Sequence, residues 1–376
     1  MNKYIILLLL FLQHIIVGCS TLHKNILEEA LGSQNPKIKI VMDQPENFEL
    51  QIIYTQIKRT KNNQVKFKDY TYNVNAENYF YPASTVKLPI AILALEKLGK
   101  IKNTSINSEF SIAGNNDKFK FSDEILKIFA VSDNDASNHL LEFLGFDYLN
   151  KNMTNKGLKK FKVTHRLSTP DSGNPQTKGI TLYKDDDTVL DLLPINSHKA
   201  IPLQLKRMKK GIGYMQNDSL VKIPFDFSSK NYYALETLHN TLKRIVFPQS
   251  FKANERFDLS TKDLEFLLFA MRNLPRNVGY DPVEFYDGYA KFFIFGDTKN
   301  EIPENIKIYN KVGDAYGTLI DCAYIVDEKN KIEFMVSATI LVNKDGIFND
   351  DAYEYETIGL PYLAELGREL YKRSKK

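Results

Sequence analysis

Apolar positions alternate or cluster in strand-like runs at both ends of the chain and recur at helical spacing in the middle. Residues 48–58 and 65–74 read as two strands joined by Lys61-Asn62-Asn63-Gln64, a hairpin signal. Near the other end, residues 307–313 are strand-like, and residues 318–326 and 332–342 predict a hairpin turning over Asp327 to Asn330. Between these ends, Ile90, Leu93, Ala94, Leu95 and Leu98 predict a buried helix that stops at Gly99. Ile125, Leu126, Ile128, Phe129 and Val131 form a second stripe, and Leu140, Leu141, Phe143 and Leu144 a third, ended by Gly145. The polar triplet Ser132-Asp133-Asn134 separates the last two, as a capped turn between helices would. Residues 234–247 are amphipathic and end at Pro248; Ser260-Thr261-Lys262-Asp263 has capping-box character and opens a helix to Asn273; residues 354–371 form a last helix.

This order predicts an α+β fold. The terminal strands pair into one antiparallel sheet with the last helix packed on it, and the middle forms an all-helical lobe, leaving a ligand cleft between the lobes. The sheet lobe takes residues 47–82 and 306–376, and the helical lobe residues 83–305. Residues 162–178 are a loop with Pro170, Gly173 and Pro175. Residues 177–228 carry two further hairpins, turning at Asp185-Asp186-Asp187 and at Gln216-Asn217-Asp218, and read as an insertion that forms a flap or a docking surface.

The first residues change the picture of where this body works. Lys3 precedes an apolar run over residues 4–12 that is too short to span a bilayer, and Ile16-Val17-Gly18-Cys19 follows. Small residues before a cysteine resemble a bacterial lipobox. The resemblance implies cleavage before Cys19, lipidation of its thiol, export, and a body anchored to a bacterial membrane on its periplasmic or outer side. Residues 1–19 are then a signal peptide, residues 20–46 a tether, and residues 47–376 the catalytic body.

Composition narrows the function classes. The formal charge of +4 owes part of its sign to the terminal Lys372-Arg373-Ser374-Lys375-Lys376, a solvated end, and no nucleic-acid-binding motif is present. The chain has two cysteines; with Cys19 lipidated, Cys322 has no partner for a disulfide and reads as a buried thiol. The six histidines are scattered without H-E-x-x-H spacing, and no G-x-S-x-G elbow occurs, which argues against a metal hydrolase and an α/β-hydrolase. No metal or cofactor is expected, and a monomer is.

Candidate chemistry sits at Pro82-Ala83-Ser84-Thr85-Val86-Lys87, where an extended aromatic run meets the first helix. Ser84 and Lys87 are one turn apart on the same face. Burial or a neighbouring cation would depress the lysine's pKa and make it a base for the serine. The helix N-terminus favours a neutral lysine and an oxyanion. A lone S-x-x-K is weak evidence: Ser219-Leu220-Val221-Lys222 matches too, but lies in a strand pattern between Asp218 and Pro224.

Three landmarks now stand in order, Ser84-Thr85-Val86-Lys87, Ser132-Asp133-Asn134 and Lys311-Val312-Gly313, each in its expected context. The set resembles the class A β-lactamases and the penicillin-binding DD-peptidases. The resemblance implies a β-lactamase/transpeptidase-like fold and an acyl-serine mechanism. Ser84 would be the nucleophile and Lys87 its base, directly or through water. Ser132 would pass a proton to the leaving nitrogen, and Lys311 would be a fixed cation near the substrate carboxylate. Asn134 would hold the substrate amide and orient Lys87. Gly313 would let the substrate approach the strand, and the N–H groups of Ser84 and Asp314 would form the oxyanion hole. The substrate would be a β-lactam or a peptidoglycan-type peptide. The competing readings are a DD-peptidase and a non-catalytic peptidoglycan-binding module.

Three departures from the family pattern matter, one being that residues 177–228 exceed what the family usually has there and read as surface decoration, a flap or a docking surface. Val312 replaces a threonine whose hydroxyl would bind the substrate carboxylate, a loss worth about 1.5–3 kcal/mol. The stretch Thr164-His165-Arg166-Leu167-Ser168-Thr169-Pro170-Asp171 keeps the family's arginine but lacks the glutamate that activates the deacylating water. Asp171 and His165 are the two candidates to replace it as deacylation base.

Overall fold

The computed structural model describes residues 24–375 apart from Asn63. The signal-peptide and lipidation expectations, including Cys19, lie outside the described residues. Five strands form the main antiparallel sheet: β1 (Gln51–Arg59), β2 (Val65–Tyr72), β3 (Ile306–Ala315), β4 (Thr318–Asp327) and β5 (Ile332–Leu341), in the order β3-β4-β5-β1-β2. Both chain ends contribute, and the β1–β5 pairing, with Gln51 opposite Thr339, joins them. Strand β4 is buried along nearly its whole length because both faces of the sheet are covered. Ile320 and Cys322 face the helical lobe, whereas Leu319, Ala323 and Ile325 pack toward the C-terminal helix. The alternation is the period of two that a strand imposes. Cys322 is a buried free thiol. At the two edges, β2 is half exposed and carries Lys66 and Lys68, while β3 borders the cleft.

The described helices of eight or fewer residues at the start are α1 (Ile26–Leu31) and α2 (Pro36–Met42). They are followed by α3 (Lys87–Leu98), α4 (Phe121–Ala130), α5 (Asn134–Leu144), α6 (Phe146–Asn155), α7 (Leu235–Val246), α8 (Thr261–Arg272) and α9 (Leu360–Ser374). Helix α3 is apolar almost all round, and only Lys97 escapes full burial, so it runs through the centre of the helical lobe. Ser260 caps α8 by accepting from the Asp263 N–H at 3.1 Å.

Two expectations are corrected. Residues 26–42 do not form a tether: α1 and α2 dock on α9, burying Leu27, Ala30, Ile38 and Val41. Asn25 opens α1 with a capping box, and that local signal was obscured by the polar composition around it. The helical lobe is also not all-helical. Glu109–Ile112 and Lys118–Lys120 pair with the first hairpin of the insertion, Ile180–Tyr183 and Val189–Leu192, in a four-stranded sheet. The second hairpin, Gly213–Gln216 and Ser219–Val221, pairs in parallel with Ile347–Phe348 beyond β5. The insertion therefore bridges the two lobes. Ser219 lies on that exposed strand, so the second S-x-x-K match has no helix start beneath it.

Candidate active site

Ser84 stands on a 3-10 turn, Ala83–Val86, that leads directly into α3. Ala83 is held at φ 45°, a left-handed conformation that costs a non-glycine residue about 1–3 kcal/mol. The turn is fixed from within by the Thr85 hydroxyl, which donates to the Pro82 carbonyl at 2.6 Å. It is fixed from outside by β3. A Cβ on Gly313 would stand 2.9 Å from the Ser84 nitrogen and 3.0 Å from the Pro82 oxygen. The close neighbour that Gly313 admits is therefore the turn that carries Ser84. Gly313→Ala should push the Ser84 N–H out of place, slowing acylation at least about tenfold and destabilising the fold by about 1–3 kcal/mol, as acylation rates and thermal melts would show.

Lys87 is fully buried and donates to the Ser132 carbonyl, to Asn134 Oδ1 at 2.7 Å and to Ser132 Oγ at 3.4 Å. From the other side, the buried Lys311 donates to Ser132 Oγ at 2.8 Å and to the Val312 carbonyl at 2.9 Å. Ser132, at φ 60°, thus sits between two lysines at the turn before α5, which Asp133 caps through the Ala136 N–H at 2.8 Å. Burial is the main force on both amines. It brings Lys87 down to about 7, against the pull of Asp314, Asp133 and Asp135. It holds Lys311 well below the ordinary lysine range, with repulsion from Lys87 adding to the effect. Of the two causes expected from sequence, burial acts on both amines, and repulsion between the lysines acts on Lys311.

A cleft of about 540 Å³ opens over this group, lined by Ser84, Asn134, His165 and Asp314 among others. Asp314 faces the solvent of the cleft, yet the protein walls around it desolvate its carboxyl enough to raise it above the usual range despite the pull of Lys311 and Lys87. Val312 does not line the cleft. It is buried in the core beneath the C-terminal helix, which explains an apolar side chain there. Ser84, Lys87, Ser132, Asn134, Lys311, Gly313 and Asp314 therefore come together.

The two candidate deacylation bases part company. Asp171, at φ 51°, is exposed and closes a local turn, accepting from Asn174 Nδ2 at 3.0 Å. It lines a separate cavity on the far side of the loop, with Asp135 and His139, and is not brought to Ser84. His165 lines the Ser84 cleft. Its ring stacks parallel to Tyr81 at 6.2 Å, and its Nδ1–H donates to the Arg166 carbonyl at 2.6 Å. Burial lowers its pKa to about 4, so it is neutral near pH 7.

The sequence reading noted Arg166 only as the family's arginine, and the contacts of several positioning residues escaped it. Arg166 clasps the loop to α5: Nε donates to Glu142 at 2.5 Å, and the other nitrogens to the carbonyls of Asn174 at 2.7 Å and Gln176 at 2.9 Å. Asn138 pins Leu167 through both backbone groups. Beneath Lys311, the buried Lys291 donates to Asn310 Oδ1 at 2.6 Å, and Asn310 Nδ2 donates to Asp321 at 2.9 Å. Burial moves Lys291 down to about 7 and Asp321 up to about 6. Polar residues inside otherwise apolar strands, such as Asp321 between Ile320 and Cys322, were the available signal.

Residues 37–193 match the model of a β-lactamase enzyme family. No protein of curated function matches the sequence. Among solved structures, the chain resembles a β-lactamase from Desulfarculus baarsii DSM 2075, with 13% identity, 87% of this chain and 94% of that chain covered, and a TM-score of 0.50. It also resembles a β-lactamase from Xanthomonas campestris pv. campestris str. ATCC 33913, with 13% identity, 92% and 98% coverage, and a TM-score of 0.50. A third similar structure is L2 complexed with relebactam, with 11% identity, 93% and 98% coverage, and a TM-score of 0.50. The chain has the β-lactamase fold. At these identities the β-lactamase fold is what is shared, and the chemistry must be argued from the residues in the cleft.

Proposed function

We propose that the protein is a serine hydrolase of the class A β-lactamase type, opening β-lactams or related amides through an acyl-Ser84 intermediate. The observation that carries this is the chain Lys87–Ser132–Lys311, tied through Asn134 to the cleft that Ser84 lines. Similarity of residues 37–193 to a β-lactamase enzyme family supports it. Lys87, whose burial lowers it to about 7 and favours the neutral amine, takes the Ser84 proton, through a water where the gap requires one. Ser84 Oγ adds to the carbonyl carbon. The Ser84 and Asp314 N–H groups receive the oxyanion. Ser132, which Lys311 polarises, hands a proton to the leaving nitrogen as the C–N bond breaks, and is resupplied from Lys87. Export and lipidation at Cys19 belong to the same reading, since cell-wall amides and β-lactams are met outside the cytoplasm.

A DD-peptidase uses the same nucleophile. The missing family glutamate favours a long-lived acyl-enzyme, so turnover should be slow and limited by adduct loss. Intact-protein mass spectrometry with a penicillin and a cephalosporin tests both readings. A transient adduct with accumulating hydrolysed drug supports a β-lactamase, and a stable adduct supports a penicillin-binding peptidase. No adduct with either drug removes the β-lactam reading. Acylation should also rise with pH through about 7 and level off above, because Lys87 acts in its neutral form. A rate flat between pH 5.5 and 8.5 would remove Lys87 as the base.

A further inference from the structure

We propose that His165 is the general base of deacylation, its Nε2 holding the water that attacks the acyl group on Ser84. This rests on the acyl-Ser84 reading above. Four observations carry it. The Nδ1–H bond to the Arg166 carbonyl fixes the tautomer and leaves Nε2 as an acceptor. Nε2 is buried and has no hydrogen-bond partner among the described residues. A buried acceptor without a protein partner beside a polar cavity is where an ordered water is expected. The histidine lines the same cleft as Ser84, whereas the carboxylate nearest in sequence to the missing glutamate lies in another cavity.

The backbone that carries the ring is also pinned. Asn231, fully buried just after the insertion, accepts from the N–H groups of Thr164 at 2.8 Å and His165 at 3.2 Å. Its Nδ2 donates to the His165 carbonyl at 3.3 Å. Tyr79 in turn donates to the Asn231 carbonyl at 2.9 Å. The segment that follows the insertion thus locks the backbone that carries the base.

The step balances without a further reactant. Nε2 takes a proton from water as its oxygen bonds to the ester carbon. Collapse of the tetrahedral intermediate breaks the carbon–Oγ bond, and the imidazolium's proton returns to Ser84 Oγ. The acid leaves and the histidine is neutral again. The charged side chain acting on the ring is Lys230, which disfavours the imidazolium, while Arg166 meets it through its carbonyl and turns its guanidinium to Glu142; Tyr81 stacks on the ring. Nothing in this environment titrates the histidine near pH 7.

His165→Asn keeps a donor near Nδ1 and removes the acceptor at Nε2. With a cephalosporin that labels the wild type, acylation should stay within about threefold and adduct lifetime should lengthen at least about a hundredfold. His165→Gln, which can hold a water without taking its proton, should behave alike. Unchanged lifetimes in the folded variants would overturn the assignment while leaving the acyl-Ser84 reading in place. Should neither variant fold, the wild-type deacylation rate decides: flat from about pH 5.5 to 8 supports His165, and a limb near 7 assigns the role to Lys87. A wild-type adduct that never turns over also overturns it. A wild type that forms no adduct with any β-lactam or cell-wall peptide ester overturns the acyl-Ser84 reading, and this assignment with it.

Discussion

Ser84→Ala is expected to abolish adduct formation with every acyl donor that labels the wild type. Loss of a serine nucleophile costs on the order of 10⁶-fold, which puts residual labelling below detection by intact mass. The fold should be unaffected. Ser84 Oγ makes no hydrogen bond to another described residue, and Ala83 and Thr85 shape the turn without it. The variant should therefore melt within a few degrees of the wild type and still bind ligand in the cleft. Retained labelling would place the nucleophile elsewhere and remove the mechanism. Retained binding without labelling separates a lost nucleophile from a collapsed site, and a non-catalytic binding module would show the same binding for both proteins.

Lys87→Met should have the next largest effect. Methionine fills most of the buried channel but offers neither a lone pair nor a donor. Acylation should fall by about 10²–10⁴-fold, the span of a lost general base, and the rise through about pH 7 should vanish. Stability should move less than activity. The Ser132 carbonyl and Asn134 Oδ1 lose a donor, costing about 1–3 kcal/mol, but the fold no longer buries an amine whose charged form it disfavours. Stopped-flow acylation across pH checks the first claim and thermal melts the second. A variant that acylates at the wild-type rate would transfer the base role to another group.

Much of this site was legible in the sequence because its residues lie at element boundaries, which leave marks. Pro82 before the helix, Asp133 capping the next one and Gly313 on an edge strand each have a local signature. The strands were legible for the same reason: β4 and β5 are continuous apolar runs about a short polar turn. What stayed hidden depends on residues far apart in the chain. The Arg166–Glu142 clasp joins a loop to a helix. Asn231 reaches back to Thr164 and His165. Asp171 and His165 looked equivalent because sequence separation says nothing of which side of a loop a side chain takes. Val312 looked like a lost ligand and proves to be a core residue, because burial of a single edge position is decided by the helix that packs behind it. The small sheet of the helical lobe was missed because residues 109–112 and 118–120 make short strands whose partners come from the insertion.

The docking of α1 and α2 bears on how the cleft meets large substrates. These helices, with Arg373 near Glu29 at 3.8 Å, fasten the beginning of the described chain to its end, on the face of the main sheet away from the helical lobe. A protein held by its N-terminal arm would be gripped from behind. The support would then not crowd the space in front of Ser84.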